Sequence, residues 1–93
     1  MTETTAVVKT AHATKYMTQL CKHWSHRFET SLEGKTGTAN LPGGQVRFHA
    51  ADDALTITVE LTDDAAKTRM QGVIAEHLER FAFRELPLAY NWT

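Results

Sequence analysis

From Leu55 to Leu61 the chain alternates strictly, with apolar Leu55, Ile57, Val59 and Leu61 separated by polar Thr56, Thr58 and Glu60. A period of two is what a strand with one dry and one wet face requires, so the segment is predicted to be a strand of an antiparallel sheet. The same alternation places Val46, Phe48 and Ala50 on one face against Arg47 and His49, and Phe28, Thr30 and Leu32 against Glu29 and Ser31. A further strand is predicted from about Thr36 to Leu41, and a β-like run at Ala6-Val7-Val8-Lys9. Turn chemistry separates these runs at Glu33-Gly34-Lys35, Pro42-Gly43-Gly44 and Asp52-Asp53.

Two stretches change period. Ala13, Met17, Leu20, Cys21, Trp24 and, at the exit, Phe28 recur at helical spacing with Tyr16 beside them, predicting a helix from about Ala11 to about Ser25 with Thr10 as its cap. Thr62-Asp63-Asp64 supplies short polar and acidic side chains suited to the positive end of a helix, which is predicted to run to about Ala82. Ala66, Met70, Val73, Ile74, Leu78 and Phe81 form its apolar face, with His77 inside the stripe. Gly72 weakens that helix by about 1 kcal/mol relative to Ala, which predicts a close approach by another element. After Pro87, the alternation of Leu88, Tyr90 and Trp92 predicts a last strand. The fold class is therefore α+β, in the order β-α-β-β-β-β-α-β, an antiparallel sheet with both helices packed on one face and the other face open.

Composition sets bounds without altering that picture. A chain of 93 residues makes a single domain spanning residues 1–93, which buries roughly 60–65% of its unfolded surface. The net charge of −1 offers no general attraction to phosphate backbones or anionic membranes, so neither nucleic acid nor membrane is expected as a partner. One cysteine excludes an internal disulfide, and the first residues lack a signal-peptide pattern, which predicts a cytoplasmic protein.

The candidate chemistry lies in Cys21, His23, His26 and His77. Cys21-x-His23-x-x-His26 has the spelling of a metal motif, but residues two apart differ by about 200° around a helix, so Cys21 and His23 cannot share one ion. His23 and His26 lie about 60° apart and would still need ligands from elsewhere. Cys21 is accordingly expected in the core, His23 at a boundary near Tyr16, and His26 in solvent beside Lys22; neither a cofactor nor a stoichiometric metal is expected. His77 is expected to be buried, neutral and hydrogen-bonded to the sheet or the first helix. Arg80 and Arg84 are read as a salt-bridged face with Glu76, Glu79 and Glu85. Gly34-Lys35-Thr36 lacks the upstream glycine and following helix of a phosphate loop.

The blocks Tyr16–Phe28 and His77–Glu85, with the Pro42-Gly43-Gly44 turn, resemble the bacterial domain-of-unknown-function family 2218 over nearly the whole chain. The resemblance marks Cys21, His23, His26 and His77 as family-like positions and implies an association with iron-uptake, siderophore-interacting proteins. The leading expectation is a small cytoplasmic binding or accessory domain beside iron or siderophore metabolism, its partner a small molecule or a protein. Two other classes remain: a metal-dependent enzyme or metal sensor using His23 and His77 from facing helices, and a structural module that self-associates, as a homodimer, through its open sheet face or last strand.

Overall fold

A computed structural model describes residues 2–93. Five strands, β1 (Thr2–Lys9), β2 (Thr30–Glu33), β3 (Thr36–Leu41), β4 (Gly44–Ala50) and β5 (Ala54–Leu61), form one antiparallel sheet in the spatial order β1-β5-β4-β3-β2. Helix α1 (Ala13–Trp24) separates β1 from β2, and α2 (Lys67–Phe81) follows β5 after a single 3-10 turn at Asp64–Ala66. The first seven predicted elements are thus present, in the predicted order.

Connectivity follows from the strand order. Strands β2 to β5 are a meander that returns the chain to β1, so α1 has to carry it across the full width of the sheet from one edge to the other. In doing so α1 buries Met17, Leu20 and Cys21 against Ala39, Val46, Phe48, Leu55 and Ile57, all at most 2% exposed. Helix α2 lies on the same side and adds Met70, Ile74 and Leu78 to that core. Full burial of such a side chain stabilises the fold by roughly 1.5–3 kcal/mol, so this single layer of contacts dominates the stability. The opposite face carries Thr5, Thr58, Arg47 and Thr38 in one row across the strands, and Arg47 is paired there with Glu3 at 2.8 Å and Glu60 at 3.4 Å.

The Pro42-Gly43-Gly44 turn is glycine-rich for two separate reasons. Gly43 sits at φ +109°, a conformation that side-chain-bearing residues rarely adopt, and Gly44 lies so close to the neighbouring strand that a Cβ would fall 2.4 Å from the Glu60 carbonyl oxygen. The turn is therefore drawn against β5 and α2, where Thr62 N donates to Gly43 O (3.1 Å) and an Arg69 Nη donates to Pro42 O (3.3 Å).

Four expectations need correction. The last predicted strand is not one: Leu88, Tyr90 and Trp92 lie in irregular chain, and only Thr93 pairs with the sheet, through two backbone bonds to Thr5. The Tyr90 hydroxyl donates to Glu79 (2.9 Å), with Ala75 O also in reach at 3.3 Å, so the alternation served to lay Tyr90 against α2, with Trp92 stacked on it, instead of building a ladder. Gly72 meets nothing within 4 Å of a Cβ position and is exposed; no element approaches it. Helix α1 starts at Ala13, because the Thr10 hydroxyl accepts from His12 N (3.0 Å) before the first helical turn. At α2, Asp63 caps the 3-10 turn by accepting from Ala65 N (3.0 Å).

Candidate functional site

The end of α1 and the start of α2 do not close on each other, and the β3–β4 turn forms a third wall. Between them lies an open cleft of about 510 Å³. Its floor and walls are apolar: Trp24 and Phe28 from the α1 side, Leu41 and Pro42 from the turn, Met70 and Val73 from α2. The remaining lining residues are His23, His26, Arg27, Arg69 and His77, with no carboxylate among them.

Helix periodicity explains the convergence. On α2 the buried line is Met70, Ile74 and Leu78, four residues apart, and the adjacent line Arg69, Val73, His77 and Arg80 runs along its flank. His77 consequently sits at the edge of the apolar stripe and is half-buried, a correction to its expected place in the core. Its hydrogen bond is also local, Nδ1 donating to Val73 O of the preceding turn at 2.7 Å. A carbonyl can only accept, so Nδ1 carries the hydrogen and the neutral ring keeps its lone pair at Nε2.

His23 faces α2, away from Tyr16. Its ring centroid lies 5.2 Å from that of His77 and 6.1 Å from that of Phe81, which corrects the expected boundary with Tyr16. Trp24 also packs on His77, at 5.4 Å, and itself stacks on Phe48 of the sheet. Partial desolvation by these neighbours, and then the positive charge of His77, Arg80 and His26, holds the His23 imidazolium below the ordinary histidine range. His26 is exposed at the mouth of the cleft.

Cys21 lies apart from this group. It is 1% exposed under β3, where its Sγ would stand 3.0 Å from a Cβ at position 37, and burial pushes its thiol up to about 11. The four candidate residues thus divide into three that line the cleft and one in the core. Among the described residues no group of three or more His, Cys, Asp and Glu side chains could hold a metal ion.

The arginines were missed by sequence reasoning, and they distinguish the site. Elsewhere Arg47 is paired with Glu3 and Glu60, Arg80 with Glu76 at 2.8 Å, and Arg84 lies over the Phe83 ring. Glu79 and Glu85 turn to Tyr90 and Tyr16, so the expected salt-bridged face reduces to the single Arg80–Glu76 pair. Among the described residues, Arg27 and Arg69 have no carboxylate within salt-bridge distance. The available signal was the spacing Arg69, Val73, His77, which places an arginine two turns from the histidine on one helix flank.

Fold and site together define a small α+β domain with a cationic, aromatic-walled cleft. The chain belongs to a family described as an uncharacterized protein conserved in bacteria (DUF2218), whose sequence profile it matches over residues 5–93. It is similar to the NMR structure of PA4090 from Pseudomonas aeruginosa, with 33% identity and a TM-score of 0.80 over 100% of this chain and 96% of that one. No curated protein matches. Among the described residues, no helix is long and apolar enough to cross a membrane.

Proposed function

We propose that this domain binds a small anionic molecule with an apolar, planar body in the cleft between α1, α2 and the β3–β4 turn. The observation that carries the reading is the pairing of Arg27 and Arg69, free of carboxylate partners, with three histidines around an apolar floor. Guanidinium groups bind carboxylate or phosphate through charge-assisted hydrogen bonds, and Trp24, Phe28 and Met70 supply the surface on which a ring or short alkyl body is desolvated. Iron chelates built from carboxylate or phenolate donors belong to the same chemical class, which is how the connection to iron and siderophore metabolism enters this reading. A cytoplasmic setting belongs to it as well.

An NMR titration tests it with a matched pair, benzoate and benzylammonium. Benzoate should shift the resonances of His23, Arg27, Arg69 and His77 in a saturable way while benzylammonium leaves them in place. Equal response to both ligands, or benzoate shifts confined to residues outside the cleft, would overturn the proposal.

A second reading is favoured by one observation. The Val73 carbonyl fixes the tautomer of His77 in the manner typical of metal-ligating histidines, and His23 is the adjacent ring. Two imidazoles flanked by arginines would hold a metal only when the bound molecule contributes anionic donors. Elemental analysis of protein saturated with a ferric carboxylate chelate, then repeated for His23→Ala, distinguishes this from plain anion binding. Self-association through the open sheet face has its support in Val7, which lies on that face at 51% exposure, and solution mass measures it directly.

A further inference from the structure

Five of the cleft's polar side chains are cationic or become so on protonation, yet they do not offer the same bond. Arg27 and Arg69 can only donate. His77 differs, because the one N–H of its neutral ring is already committed to Val73 O and what that ring has left is the Nε2 lone pair, an acceptor. The ring is not free to exchange these roles. Rotating it would abandon the 2.7 Å bond to Val73 O, and the rings of His23 and Trp24, centred 5.2 and 5.4 Å away, flank it. Among the described residues Nε2 has no hydrogen-bond partner.

We propose that the ligand carries a hydroxyl or similar hydrogen-bond donor on its apolar body in addition to its anionic group, and that His77 selects for it through Nε2. The substrate class is then a hydroxylated aromatic or short aliphatic carboxylate, and not a simple fatty or aromatic acid. This deepens the anion-binding reading above and rests on it. The physical basis is that a ligand filling the cleft displaces the water that would otherwise satisfy Nε2. A ligand placing only C–H there leaves a desolvated acceptor unpaired, and sites built to bond a hydroxyl discriminate strongly against analogues lacking one. A purely apolar pocket, by contrast, distinguishes an added hydroxyl weakly.

Calorimetric titration of the intact chain with benzoate, the three isomeric hydroxybenzoates and their methoxy counterparts tests the assignment. At least one hydroxybenzoate should bind about tenfold or more tightly than benzoate, a gain lost in its methoxy analogue, which keeps the oxygen and removes the donor. The gain should vanish in His77→Phe and be partly kept in His77→Gln, whose side-chain oxygen remains an acceptor. If every hydroxybenzoate binds wild type no better than benzoate, the inference is overturned while anion binding stands. If the gain survives in a folded His77→Phe protein, His77 is not its source and the inference also falls. Failure of all the carboxylates to bind wild type would overturn the anion-binding reading itself, and this inference with it.

Discussion

The two helices carry a polar cluster at each end of their contact, and the clusters are built to opposite rules. At one end the Glu85 carboxylate accepts from the Thr10 hydroxyl at 3.0 Å and from the Tyr16 hydroxyl, while Thr10 in turn receives His12 N. Every group there has a partner. The Tyr16 hydrogen bond holds the Glu85 carboxyl below the usual range, and burial together with the negative charge of Glu85 pushes the Tyr16 phenol up to about 12. At the other end the guanidiniums of Arg27 and Arg69 stand with the imidazoles of His23, His26 and His77, and no acid lines the cleft to balance them. A cluster that satisfies itself fastens the chain; one that is left positive lacks its counter-charge. The contrast separates a structural tie from a binding site without reference to any sequence motif.

The comparison breaks first on stability. Glu85→Ala should cost about 2–3 kcal/mol in urea melts, because it leaves Tyr16, only 4% exposed, with an unpaired hydroxyl and frees the segment after α2. Glu85 also contributes stability present above its unfolded pKa of about 4.3 and lost as pH falls through its lower folded value, so the acid-side loss of the wild type should be missing in the variant. A change at the cleft as large as this one would erase the distinction between the two ends.

Binding sharpens it next. Arg27→Gln and Arg69→Gln should each weaken benzoate binding by about tenfold while shifting stability by no more than about 0.5 kcal/mol, since neither arginine is held by a carboxylate in the folded chain and the Arg69 bond to Pro42 O is long and exposed. The smallest effect is electrostatic strain in the unliganded cleft. With a folded pKa below the unfolded value of about 6.5, His23 supports the fold above that pH and withdraws its contribution as pH falls, because the unfolded chain binds the proton more readily. Urea midpoints followed from pH 7.5 to 5.5 should therefore fall slightly, less so in His23→Gln, and saturating benzoate should offset the fall by supplying the missing negative charge.

Where burial follows a simple period, the chain was legible. The alternation over Leu55–Leu61 is the buried-face pattern of β5, and the α1 stripe matches its buried residues. The Leu88–Trp92 alternation misled because period two says only that alternate side chains share a side; it does not say whether a strand or a helix lies beneath them. His77 misled for a related reason. It is one residue from Leu78 and about 100° around α2, near enough to be counted in the apolar stripe and far enough to line a cleft. That Arg27 and Arg69 lack a carboxylate partner could not be seen at all, since it is a property of tertiary contacts.

One contact in the core reaches further than its size suggests. At Gly37 the sheet offers α1 no side chain, and the space is filled by the Cys21 sulfur, with Leu32 Cδ2 at 3.2 Å and Met17 Cγ at 3.4 Å from where a Cβ would stand. This seating fixes the rotation of α1 about its own axis, and His23, two residues on, inherits its aim from it. Positions 21 and 37 therefore form a lock and its ward: a side chain at 37 would press on the sulfur at 21, on Leu32 and on Met17, and each would have to give by a few tenths of an ångström. A bulky side chain at 37 with Cys21 kept would press α1 away from β3, and the displacement would reach the His23 imidazole in the cleft.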